Sequence, residues 1–220
     1  MQKKFALTNE TRVLNNQTLY RIKALRDFAD VKAGSLGGFI ANESNLSHDG
    51  NCWVYDNAIV AYDAIVSENA KVSDKAIIMG FVYGNAHVCD RARVYANAHV
   101  YDNAHLSYNA WVYQYARVYG NAKLSGSARI HSNAVVYDHA VVSGACKIYG
   151  KVYGNASVGG NADVYGSVYG NAKISDHIVI RGKVYGNARL KRHSGLCSVP
   201  KNCVVYESDH VVKIIENKAA

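Results

Sequence analysis

The stretch Val82–Ala104, VYGNAHVCDRARVYANAHVYDNA, opens and closes on one pentapeptide, Val-Tyr-(Gly/Asp)-(Asn/His)-Ala. The pentapeptide begins at Val82, Val100, Val118, Val136, Val152, Val168 and Val184, first in steps of 18 residues and then in steps of 16. A fixed period of this length marks a solenoid, in which each repeat is one coil stacked on the next. Within the long steps an aliphatic residue recurs every sixth position: Val82, Val88, Val94, Val100, Leu106, Val112, Val118, Leu124, Ile130, Val136, Val142 and Ile148. A helical stripe has a period of 3.6, so a six-residue period excludes a helix. It fits a short strand, a tight corner and another short strand. The Gly-Asn and Asp-Asn pairs supply residues that tolerate a left-handed backbone at the corners.

Three such strands close a triangular coil. The aliphatics point inward, and alanines such as Ala86, Ala92, Ala98 and Ala104 fill the tight space by each corner. The shorter steps arise on one side only: Ile148 to Val152, Val164 to Val168 and Ile180 to Val184 are four residues apart instead of six, as are Ile78 and Val82 upstream. Ile40, Leu46 and Val54 extend the phase toward the N-terminus. The expected fold is all-β: a single-stranded parallel β-helix with 18- then 16-residue coils and small terminal caps. Residues 1–33 read as a strand–turn–strand cap with Asn15 and Asn16 at the turn, residues 34–195 as the β-helix, and residues 196–220 as a strand-like C-terminal cap.

Bulk composition narrows the function classes. Among 220 residues, 49% are hydrophobic and one is proline, which excludes a disordered or collagen-like chain. The formal charge of +8 is compatible with an anionic partner. The N-terminal MQKKFALTNETRVL lacks the apolar run of a signal peptide, and no stretch approaches a membrane span. The five cysteines form no Cys-x-x-Cys pair, so reduced thiols and a cytoplasmic location are expected.

The pattern aliphatic, two variable, turn residue, small, variable resembles the hexapeptide-repeat superfamily. That resemblance implies a left-handed β-helix, a homotrimer, and a set of activities that includes acyl-coenzyme A transfer and γ-class carbonic anhydration. Thr18–Ile40 (TLYRIKALRDFADVKAGSLGGFI) and Asn45–Ala58 (NLSHDGNCWVYDNA) are similar to the entry region of YdcK-like bacterial and phage proteins, which carry a transferase label.

Three chemistries compete. An acyl-coenzyme A transferase of this superfamily uses a histidine base. The candidates are His87, His99, His105, His131 and His139, with His87 and His105 foremost because they are 18 residues apart and stack in adjacent coils. The repeats lack the inserted loop that such enzymes carry beside their base. A carbonic-anhydrase zinc needs three converging histidines. His87 and His105 would supply two, and the cysteine spacing adds none, so no metal site is expected. The tyrosines are the third and favoured feature. Tyr83, Tyr101, Tyr119, Tyr137, Tyr153, Tyr169 and Tyr185 each follow a repeat valine and are predicted to form one outward column. Tyr95, Tyr113, Tyr149 and Tyr165 form a second column, broken by His131 and Arg181. The equivalent positions on the remaining side are small: Cys89, Ser107, Ser125, Ser143, Gly159 and Ser175.

Cations gather toward the C-terminal end, including Lys147, Lys151, Lys173, Arg181, Lys183, Arg189, Lys191 and Arg192. Aromatics interleaved with cations suit nucleobases and phosphates. The expectation is therefore a non-catalytic binding or scaffold protein without a cofactor. It would use the tyrosine columns with Lys151, Arg181, Lys183 and Arg189 to hold a protein partner or a nucleotide-like anion, as a phage host-directed inhibitor. The alternative is an acyl-coenzyme A transferase with His87 or His105 as base.

Overall fold

In the computed structural model, which describes residues 3–191 and 196–214, the chain is a parallel β-solenoid. Arg192, one of the C-terminal cations, and residues 215–220 of the tail lie outside the described residues. Pairs such as His105–Leu106 and Lys123–Leu124 are two-residue strands, each bonded in parallel to its counterpart one coil away. One face is a nine-stranded sheet running from Trp53–Val54 to Arg189–Leu190, which sets nine coils. The inner member of each pair is buried from Val54 to Leu190, with the corner alanines beside it and Cys146 taking an alanine position. One axial hydrophobic core results, fed by all three faces.

The faces differ in the outward residue next to each inward aliphatic. The tyrosine face carries Val82, Val100, Val118 and their successors; the serine face carries Val88, Leu106 and Leu124; the mixed face carries Val94, Val112 and Ile130. From Gly84 to Gly144 every sixth residue has positive φ, between +53° at Ser132 and +70° at Gly144. The left-handed residue is the first of each Gly-Asn or Asp-Asn pair. Glycine is not required there: Ala96, Tyr108 and Gln114 adopt the same conformation. Many corner side chains accept the backbone N–H of the corner residue one coil on, as Asp102 does from Gly120 at 3.1 Å and Gln114 from Ser132 at 2.8 Å. This fixed acceptor offsets the cost of a left-handed non-glycine residue.

The asparagine of each pair has a different task. Its amide donates to the asparagine of the next coil, from Asn51 through Asn69, Asn85 and Asn103 to Asn121 at 3.1–3.3 Å, and again from Asn155 through Asn171 to Asn187. His139 substitutes in the series and receives Asn121 at 3.3 Å. Such amide ladders need identical registers in successive coils, so they reinforce the stacking.

At the N-terminus β1 (Phe5–Leu14) and β2 (Gln17–Ala24) form an antiparallel hairpin through left-handed Asn15 and Asn16. β2 pairs with β3 (Leu36–Ile40), which lies parallel to Ile59–Val60 and covers the edge of the first coil. Leu46 bridges Val66. At the other end Ser198–Val199 and Cys203–Val205 continue the parallel stack, and Val212–Lys213 turns back antiparallel on it. No helix among the described residues is long and apolar enough to cross a membrane.

Candidate functional site

Tyrosine follows the inward valine on seven successive coils, and strand alternation turns each ring outward. Adjacent rings from Tyr83 to Tyr185 stack with centroids 4.8–5.1 Å apart and planes within 9°. Tyr206 adds an eighth ring, 5.8 Å from Tyr185 and tilted by 28°. Its position in the tail, outside the 16-residue phase, hid it from the repeat pattern.

The coil spacing governs what this column can bind. Each ring face is covered by its neighbour, so the column presents ring edges and hydroxyls. A planar base cannot enter between rings about 5 Å apart without separating hydrogen-bonded coils. Contact with a partner therefore runs along the column.

Two residues before each tyrosine, on the same face, lies a second row: Phe81, His99, Arg117, Val135, Lys151, Ser167 and Lys183. His99 stacks on Phe81 at 4.7 Å and meets Tyr83 edge-on, and its Nδ1 is buried without a partner. Arg117 and Lys151, with Tyr101, Tyr119 and Tyr137, line a shallow hollow of about 230 Å³. No carboxylate lies within ion-pair distance of Arg117, Lys151 or Lys183 among the described residues. The C-terminal cations do not form one patch. Lys151 and Lys183 join the tyrosine face, while Arg181 covers the Tyr165 ring on the mixed face at 5.4 Å. Arg189 stands on the serine face beside Lys173 and the ladder amides Asn155, Asn171 and Asn187.

The mixed face corrects one expectation. His131 does not break the second column. It receives a hydrogen bond from Tyr113 and stacks on Tyr149 at 4.5 Å, and Tyr149 stacks on Tyr165 at 4.7 Å. Arg181 then caps the column through its guanidinium. Imidazole and guanidinium are planar, so both replace a phenol ring in a stack. Tyr95 stands apart, edge-on to Trp111 at 6.1 Å.

Burial sets the electrostatics of the stacked rings. It is the leading cause that raises the pKa of Tyr83, Tyr101, Tyr137 and Tyr169, followed by neighbouring phenols or nearby carboxylates. Tyr149 on the mixed face is raised for the same reason. The folded values thus exceed the unfolded value of about 10. Above that pH the unfolded chain has released protons that the folded chain still holds. The stability they contribute is complete below about pH 10 and is lost as pH rises through the folded values. A tyrosinate absorbance titration followed together with circular dichroism should show late ionisation coupled to loss of β signal. Ordinary ionisation with the fold intact would contradict this.

His87 and His105 are register partners on the serine face, with ring centroids 5.1 Å apart. Burial, then His105 and Lys71, push the His87 pKa down, so its imidazole is neutral at pH 7. Its polar neighbour is Ser73 Oγ, 3.4 Å from Nε2. No carboxylate hydrogen-bonds either ring among the described residues, so neither has the orienting partner of a general-base dyad. Cys89 shares their surface, with Sγ 4.0 Å from His105 Nε2. Its proximity is legible in His87-Val88-Cys89, because strand residues i and i+2 share a face. Cysteine spacing along the chain alone conceals it. Burial, then Asp90 and Asp74, push its thiol up to about 11.

No family model matches the chain. It is 37% identical over 95 residues to a protein named uncharacterized acetyltransferase YdcK, from Escherichia coli strain K12. The match covers 39% of this chain and 29% of that relative's length. The hexapeptide phase, the nine-coil solenoid it builds and this partial likeness fit a hexapeptide-repeat β-helix, transferase-like family.

Proposed function

We propose that the protein is a non-catalytic binding solenoid whose tyrosine face is its contact surface. One observation carries this reading: an unbroken stack of eight tyrosines runs beside Arg117, Lys151 and Lys183, cations with no ion-pair partner among the described residues. Tyrosine edges combine apolar area with a hydroxyl, the chemistry enriched at protein interfaces. The cations hold the anionic group of a nucleotide-like ligand from outside the stack, where phosphate needs no intercalated base. The working unit is a cytoplasmic homotrimer. The superfamily habit of trimerisation and the three unlike faces of the rod support this. The resemblance to phage proteins suggests a host-directed inhibitor as its setting.

A thermal-shift series with nucleoside mono- and diphosphates and acetyl-coenzyme A tests the reading. A binding nucleotide at a hundredfold excess over its Kd should raise the melting temperature by about 5 °C. Arg117→Glu with Lys151→Glu should abolish the shift. A second reading, acyl-coenzyme A transfer with His87 or His105 as base, draws on the 5.1 Å approach of the two rings and on the name of the relative. Acetyl transfer that disappears in His87→Ala or His105→Ala would overturn the binding reading in its favour.

A further inference from the structure

We propose that His87, Cys89 and His105 form a site for one zinc-class divalent transition metal on the serine face. The three ligand atoms lie within 4.8 Å of one another, and the Cys89 Sγ to His105 Nε2 separation is 4.0 Å. Ligand atoms around a tetrahedral zinc are roughly 3.5 Å apart, given bonds of about 2.0–2.3 Å. Closing the group therefore requires the ligand atoms to approach one another by about 1 Å. The backbone already fixes the arrangement: His87 and His105 are parallel register partners, and Cys89 is two residues along the same strand row.

The donor set selects the ion class. Two imidazoles and a thiolate suit zinc and its neighbours and do not suit calcium or magnesium, which take oxygen ligands. The local charge is also favourable. Asp90 Oδ2 is 3.9 Å from Cys89 Sγ, and Asp74 is joined to the group through Ser73, which donates to Asp74 at 2.9 Å and contacts His87. Two cations share the row, but neither occupies the site. The Lys71 ammonium is drawn to Asp30 at 2.9 Å, and Lys123 lies in a separate hollow with Asn103, Asn121 and His139. Binding breaks the Cys89 S–H bond, releases that proton to solvent and forms one S–metal bond. The half-buried setting leaves the fourth position open to water.

The solenoid supplies its own control variants. The position of Cys89 holds serine in the next three coils, Ser107, Ser125 and Ser143, and the position of the two histidines holds Lys71 before and Lys123 after. Cys89→Ser and His105→Lys thus reproduce side chains that neighbouring coils already fold with. The full chain, reduced and freed of metal by a chelator, should be titrated with Co2+ and then Zn2+. The expected result is one ion per chain, with a thiolate-to-cobalt charge-transfer band that zinc displaces. Cys89→Ser should lose the band with unchanged circular dichroism, and Cys197→Ser, at an exposed cysteine, should keep it. His105→Lys should weaken Zn2+ binding by about tenfold or more, the range produced by loss of even an outer-shell partner. Absence of uptake, or a band that survives Cys89→Ser, would overturn the proposal.

Discussion

Replacing Gly166 with alanine should cost more than about 4 kcal/mol and leave little soluble protein, an exceptional effect for a single methyl group. Gly166 lies at the shortened corner between Val164 and Val168, where the coil turns in four residues. A Cβ built there would lie 1.9 Å from the carbonyl oxygen of Gly182 and 2.6 Å from that of Arg181. Both are backbone atoms of the next coil and cannot rotate away. Gly150 and Gly182 are in the same position, with closest backbone oxygens at 1.9 and 2.1 Å. The 16-residue coil thus exists because glycine permits two coils to approach at this corner. Gly154→Ala is the matched comparison. Its φ is +69° but its nearest atom is 3.0 Å away, so strain of about 1–2 kcal/mol is expected. Chemical denaturation of the two variants checks the contrast. Similar stabilities would show that close approach does not set the coil length.

Lys4→Met should destabilise the N-terminal end by about 2–4 kcal/mol, an unusual cost for a lysine. Lys4 is fully buried. Its ammonium donates to the carbonyl of Cys52 at 2.9 Å and to those of Asp49 and Gly50 at 3.4 Å, and it also contacts Cys52 Sγ at 3.2 Å. It lies 5.2 Å from the Phe28 ring. Burial lowers its pKa, and the Cys52 side chain, then Asp49, offset part of that shift. Methionine fills the volume but leaves these oxygens without their donor. Hydrogen exchange should then show early opening around residues 47–54 while the coils beyond Val66 stay protected. Unchanged exchange at Cys52 would contradict the assigned role.

These two sites mark where sequence reading stops. The hexapeptide phase revealed the three faces, the inward column and the four-residue steps, because burial repeats with the coil. It also placed Tyr83 to Tyr185 on one face, since alternation in a strand is rigid. What it could not supply was the distance between coils at each corner, and therefore the need for glycine at Gly166. A lysine beside another lysine at the N-terminus reads as solvated, and only the chain crossing over Asp49–Cys52 encloses Lys4. His131 and Arg181 look like interruptions of an aromatic series by residue type, yet by shape both are flat and stack. The asparagine ladder was visible as a corner residue but not as an amide chain, because a turn preference and a ladder need the same residue. The histidine–cysteine group shows the opposite case. The i, i+2 relation and the 18-residue step were both present in the sequence, and cysteine counting along the chain obscured them.

As proposed above, the tyrosine face is a contact surface, and we propose that the homotrimer assembles along it. Light scattering on the full chain, beside the triple variant Tyr119→Ser, Tyr137→Ser, Tyr153→Ser, decides the matter. Serine occupies the equivalent outward positions on the serine face at Ser125 and Ser143, so the coil accommodates it. The expected masses are three chains for the native protein and one chain for the variant, with β circular dichroism retained in both. A native protein with the mass of one chain, or a variant that stays trimeric, would contradict it.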